Sequence, residues 1–231
     1  MKRFYRAAAV AEDDAGYALT LDGKPARTPA RNLLAVPTRP LATAICAEWQ
    51  AQGDVIDVAS LKLTRIANTA IDRVRTRHAE VVEEVARYAA TDLVCYRAAE
   101  PAELAARQRA SWQPLLDWLA RRHGAALTVT DTVTPAAQPA DALNRLHAAV
   151  ARFDAFRLTA LHAATAAAGS LVIALALAEN EIAADRAFEL SQLDETFQIE
   201  KWGEDAEAAL RRAALRADLV TAARFLELCR A

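Results

Sequence analysis

A carboxylate set among large apolar side chains is the residue group with the clearest chemical meaning here. It lies in the stretch LSQLDETFQIEKWGEDAEA, Leu190 to Ala208. On a helix each residue turns about 100°, so seven residues return almost to the same azimuth. Placing Glu195 at the origin puts Phe188 and Trp202 on either side of it, one heptad away, with Ile199 close by. Leu190, Leu193 and Phe197 fall on the opposite side and form an ordinary core stripe. Two arrangements account for the acid. Either Glu195 is buried with an internal partner, since acids are seldom buried unpaired, or the face contacts another molecule. The second reading makes Phe188, Asp194, Glu195, Gln198, Ile199 and Trp202 the candidate partner-binding residues.

Other chemistry is sparse. The carboxylate groups Asp194/Glu195 and Glu204/Asp205/Glu207 could hold a hard cation or act as acid and base. No second cluster completes such a site. Six glycines are scattered singly, and no phosphate loop, GxSxG, HExxH or calcium loop occurs. His78, His123, His147 and His162 are far apart, and His162 reads as a hydrogen-bonded core residue. Cys46, Cys95 and Cys229 are odd in number and widely spaced, as reduced thiols of a reducing compartment are. No catalytic residue, cofactor or metal ligand is assigned. A second polar set lies on apolar helices: Arg65, Asn68 and Asp72 share a face by i, i+3, i+7 spacing, and Asp92 and Tyr96 are candidates to join them in an inter-domain hydrogen-bond network. Trp49, Trp112 and Trp118 read as core anchors.

Charge narrows the partner class. Lys and Arg total 28 against 30 Asp and Glu. No basic stripe for nucleic acid results. From Glu179 to Glu207, however, ten acids face only Arg186 and Lys201. That imbalance suits a basic protein surface, and it equally describes a solvated helical face. Leu158 to Ala178 runs 21 residues without Asp, Glu, Lys or Arg. Its many alanines, with His162, Gly169 and Ser170 and no basic or aromatic flank, fit a helix buried on all sides better than a membrane span.

These residues need elements to hold them. Phe4 to Arg6 reads as a short strand. Tyr17–Leu21, Asp22-Gly23 and Lys24–Ala26 read as a hairpin on a type I′ turn, with Pro25 confining its strand to an edge. Helices begin near Thr38, and Ser60 is placed to cap the second, over Leu61 to Val74. A third covers about His78 to Ala90, and Asp92 to Tyr96 is an extended link. Pro101 opens a helix that Pro114 should kink. Leu127 to Thr130 suggests one more strand. Helices then span Ala140–Phe153, Phe156–Ala178, Ala183–Lys201 and Glu204–Leu228. The pattern predicts an α+β chain: a small β-containing N-terminal domain, residues 1–57, then a larger, mainly helical domain, residues 58–231.

The order of several segments is more specific than any one of them. RFY at Phe4, LDGKPARTPAR at Leu21–Arg31, EWQAQ at Glu48, LTRIANTAID at Leu63–Asp72, TDLVCYRAAEP at Thr91–Pro101, RQRASWQPLLDW at Arg107–Trp118 and the LDETFQIEKWGEDAEA segment follow in sequence. Nearly end to end, the chain resembles the Atp-twelve family, assembly chaperones of the F-type ATP synthase catalytic head. Where that family carries Met-Pro before the LTR motif, this chain has Leu61-Lys62. The resemblance implies a holding chaperone that uses no ATP and shields the α subunit surface later covered by β. It also implies a small β-containing N-terminal domain, a helical C-terminal one, and no catalytic residue. A helical adaptor for another protein, or an enzyme with an acidic inter-domain site, are the alternative functions. No h-region follows Lys2-Arg3, so a bacterial cytoplasmic protein is expected, or a mitochondrial matrix one if the chain is a processed eukaryotic form.

Overall fold

The Asp-Gly pair decides the first element. In the computed structural model, which describes residues 1–14, 16–132, 134 and 136–230, Asp22 and Gly23 have φ of 50° and 77°. Two consecutive positive values are what a type I′ turn requires. Strand β2 (Gly16–Leu21) turns there into β3 (Lys24–Pro25). β2 also pairs antiparallel with β1 (Ala8–Asp13), with Val10 opposite Leu19, and with β4 (Ala35–Val36). β2 is thus central, and Pro25, lacking an N–H, sits on an edge strand. Gly16 joins β1 to β2 at φ 123°, and a Cβ there would lie 2.4 Å from the Val36 carbonyl oxygen. The strand expected at Phe4–Arg6 does not form. Side chains hold that segment instead: Tyr5 Oη donates to the Trp49 carbonyl at 2.6 Å, and Arg3 donates to the carbonyls of Tyr5, Gln52 and Arg6.

The chain folds as two compact units. Unit 1 comprises Met1–His78, Asp154–Ala160 and the C-terminal residues from Arg224, and unit 2 comprises Ala79–Phe153 and Leu161–Ala223. Among the described residues the strands end at Val36, and the helical segments from Arg39 to Val74 group with unit 1. In unit 1, α1 (Arg39–Gln50) lies on the sheet and buries Leu41 and Ile45. It begins near Thr38, as expected, and Thr38 is its N-cap, with Oγ accepting from Leu41 N at 3.3 Å. α2 (Lys62–Thr69) has no cap of its own, because Ser60 closes a short turn before it. Glu48 of α1 supplies the cap: its carboxylate accepts from Leu63 N at 2.7 Å, Thr64 N at 2.9 Å and Thr64 Oγ at 2.8 Å. α2 then widens into a π turn, Ala70–Val74.

Unit 2 is helical. Its helices are α3 (His78–Ala86, from Ala79 on), α4 (Ala102–His123), α5 (Ala140–Ala151), α6 (Ala155–Ala168, from Leu161 on), α7 (Leu171–Ala178), α8 (Ala184–Ser191), α9 (Leu193–Trp202) and α10 (Ala206–Leu228, to Ala223). α4 runs through Pro114 without ending. Leu127–Thr130 gives only an isolated bridge between Thr130 and Tyr96. The long apolar stretch is two helices, not one. Gly169 takes φ 65°, and Ser170 caps α7, accepting from Ile173 N at 3.0 Å. All eight residues of α7 are buried, and among the described residues no helix is long and apolar enough to cross a membrane.

Candidate partner-binding site

The helix predicted over Ala183–Lys201 breaks at Gln192, between α8 and α9. The cause is a distant donor. In an unbroken helix the Leu190 carbonyl would accept from Asp194 N, but here Trp112 Nε1 of α4 donates to it at 2.9 Å. Phe188 and Glu195 therefore lie on different helices, and the heptad relation between them fails.

α9 is two-faced. One side docks on α4. Phe197 is buried, with the Arg107 and Lys201 cations 5.3 and 5.2 Å from its ring centre. Lys201 pairs with Glu103 at 3.0 Å, and Arg107 with Glu200 at 2.6 Å. Asp194 belongs to this side: its Oδ1 accepts from Nε2 of buried Gln108 at 2.7 Å. Glu195, Gln198, Ile199 and Trp202 follow one another at i, i+3, i+4 and i+7 on the other side. Glu195 keeps 41% of its side chain exposed, and its nearest cation is Arg211 at 4.0 Å. It is neither a buried, satisfied acid nor flanked by two aromatics. Its place in the first turn of α9 suits the helix dipole, which gives it a purely structural role as well. Gln198 is exposed and Ile199 half-buried. Trp202 is 75% exposed, an unusual position for so large an apolar ring.

Phe188 lines a groove of about 510 Å³ with Leu190, Leu193, Arg107 and Arg212. The Arg212 guanidinium lies 5.7 Å from the Phe188 ring centre and donates to Thr196 Oγ at 3.1 Å. Sequence reasoning missed this basic lining within the acidic stretch. Its signals were Arg107 in the RQRASW segment and Arg186 in the acidic stretch, which also lines the groove.

The second polar set divides between the units, with Arg65, Asn68 and Asp72 in unit 1 and Asp92 and Tyr96 in unit 2. Asp72, on the π turn, accepts from Thr28 Oγ at 2.5 Å, Ala30 N at 3.0 Å and Asn32 Nδ2 at 2.9 Å. Burial pushes this carboxyl up, and those three hydrogen bonds more than offset it, so it titrates below the usual range. Arg65 is exposed, and the Oδ1 of half-buried Asn68 finds no partner. Asp92 is fully buried in unit 2, accepting from Ser170 Oγ at 2.5 Å and Val172 N at 3.0 Å, so it caps α7 beside Ser170. Burial outweighs these bonds and raises its pKa to about 6. The Tyr96 hydroxyl is buried without a partner.

Catalytic chemistry has little to work with. Burial pushes the Cys95 and Cys229 thiols up to about 12, away from the thiolate form. Among the described residues, no three His, Cys, Asp or Glu gather as a metal site. His162 is not a core residue. It is partly exposed and lies 3.6 Å from Glu84. Asp205 caps α10 through Ala208 N, and Glu204 lies 3.5 Å from Arg212.

The family model described as ATP12 chaperone protein matches residues 2–120. Solved structures agree over the whole length. Atp12 from Paracoccus denitrificans is 41% identical, with a TM-score of 0.96 over 99% of this chain and 98% of that one. A point mutant of the same protein matches at 40% identity and a TM-score of 0.96. The Agrobacterium tumefaciens protein Atu1473, put forward as a chaperone, is 40% identical with a TM-score of 0.93, covering 98% of this chain and 85% of that one. Matches over this much of the chain and at this identity carry the chaperone role with them, and the chain belongs to the ATP12 chaperone protein family.

Proposed function

We propose that this chaperone holds the free α subunit of the F-type ATP synthase catalytic head until the β subunit replaces it. The observation that carries the reading is the outer stripe of α9: an exposed Trp202 and a half-buried Ile199 beside Glu195 and Gln198. A holding chaperone needs apolar surface with selective charge, and this stripe combines both. The groove at Phe188 adds a second apolar recess in the same unit. No step of this role calls for nucleotide or a bound cofactor.

The test is aggregation of purified α subunit on dilution from denaturant, followed by light scattering. Near-stoichiometric chaperone should suppress it without nucleotide and should protect β much less. Equal protection of α, β and unrelated unfolded proteins would reduce the role to that of a general holdase.

A further inference from the structure

Unit 1 leaves a second surface that the α9 stripe does not use. A cleft of about 340 Å³ opens beside the β2–β3 hairpin, walled by Phe4, Tyr5, Trp49 and Pro25. Its wall is rigid. Tyr5 is buried, bonded through its hydroxyl to the Trp49 carbonyl, and braced by the Arg3 guanidinium 4.6 Å from its ring centre. Phe4, by contrast, is 61% exposed and packs edge-on to Tyr5 at 5.4 Å. Met1, Val55 and Val58 are also exposed, so four of the eight exposed large hydrophobics among the described residues belong to unit 1, Phe4 lining the cleft itself. Backbone bonds from Arg3 N to the Asp54 carbonyl and from Ile56 N to the Met1 carbonyl hold the two segments together. A concentration of exposed apolar side chains of this kind marks a contact surface.

The charges around the cleft select the occupant. Lys24 and Arg27 line it, both exposed, and neither has a carboxylate within ion-pair distance among the described residues. Arg27 spends one donor on the Arg31 carbonyl at 2.9 Å. The acid that also lines the cleft, Asp22, is committed to the backbone N–H groups of Arg6 and Ala7. Unit 1 as a whole carries 15 Lys and Arg against 10 Asp and Glu. Pro25 offers no N–H on the edge strand, so an incoming segment docks through side chains and not by extending the sheet.

We infer that this cleft seats a client segment in which a large apolar side chain, flanked by Asp or Glu, enters between Phe4, Trp49 and Pro25 while its carboxylates meet Lys24 and Arg27. The client is the α subunit, so the inference rests on the function proposed above. The test uses the full chain, ¹⁵N-labelled, with 12-residue peptides tiling α. Tiles bearing an acid beside a large apolar residue should shift the amides of residues 21–27 and the Trp49 indole. Changing those acids to amides should weaken binding about tenfold. Phe4→Ser, and Lys24→Glu with Arg27→Glu, should weaken the same tiles and intact α by a similar factor at unchanged melting temperature. The inference is overturned if no tile perturbs the cleft, or if binding tiles ignore the loss of their acids. It is equally overturned if intact α binds the unit 1 variants like wild type. That last result leaves the proposed function standing, whereas failure of wild type to bind intact α removes the function and leaves the tiles to decide the cleft.

Discussion

Glu195 keeps 41% of its side chain in water and has only a 4.0 Å approach to Arg211. Its environment sets what its replacement should do. Lys at this position reverses a charge at the rim of the proposed contact without creating a buried cation. Rim charges act mainly on association rate and salt dependence. Glu195→Lys should therefore slow α-subunit association, about three- to tenfold at low salt, with the difference shrinking as salt screens it. Glu195→Gln, which keeps shape and hydrogen-bonding capacity, should slow it less. Fold stability changes little. Lys in the first turn of α9 loses a favourable dipole interaction of roughly 0.5 kcal/mol, or about 2 °C in a chain of this size. Stopped-flow association and thermal melts on the same two variants check both halves. A collapse in melting temperature with unchanged association would assign Glu195 to the fold and remove it from the interface.

Local signals were legible wherever the cause was local. Asp22-Gly23 named its turn because only residues tolerant of positive φ fit both positions, and Thr38 named the start of α1 because its hydroxyl reaches the first free N–H groups. Gly169-Ser170 carried the signals for a break and a cap, but unbroken apolar periodicity around them suggested one helix. Two of the remaining differences share a cause, a side chain arriving from far along the chain. Trp112 takes the Leu190 carbonyl across 78 residues and splits α8 from α9. No Gly or Pro marks that break, and it moved Phe188 and Asp194 off the face drawn for them. Glu195, Gln198, Ile199 and Trp202 keep a common side because they lie within one helix. Glu48 caps α2 in the same long-range way, a role that nothing local to EWQAQ signals. Glu48→Ala should leave Leu63 N and Thr64 N unpaired at a half-buried helix start, costing about 1–2 kcal/mol. Glu48→Gln keeps one acceptor and should cost less. Urea denaturation measures both, and an Ala variant as stable as wild type would show that water replaces the cap.

At the scale of the molecule, charge and burial are unevenly shared. Unit 2 holds 13 Lys and Arg against 20 Asp and Glu, the reverse of unit 1, so a client that meets both must present both signs. Unit 2 also contains the one carboxylate among the described residues that burial drives well above its ordinary range, Asp92 at about 6 against 3.8. Its effect on stability has a definite sign. Between about pH 4 and 6 the folded chain keeps this proton while the unfolded chain loses it. The native state then binds more protons, and stability falls as pH rises. The contribution is fully present below about pH 4 and gone above about pH 6. Two units of pKa correspond to about 3 kcal/mol at most. Asp22, Asp72 and Glu103, all held below their ordinary values, act in the opposite sense: their stabilisation is present above the unfolded pKa and lost below about pH 4. From pH 6.5 down to 4.5, His123, held below its ordinary value chiefly by burial, opposes Asp92, so the urea midpoint of wild type should rise relative to that of Asp92→Asn. Asp92→Asn has no proton to gain. Its amide also sets a donor against Val172 N, so it should be less stable at every pH in this range, and its deficit against wild type should widen as pH falls. Parallel wild-type and Asn profiles between pH 4.5 and 6.5 would mean that the buried carboxyl stays ionised, its cost fully met by Ser170 and the α7 amides.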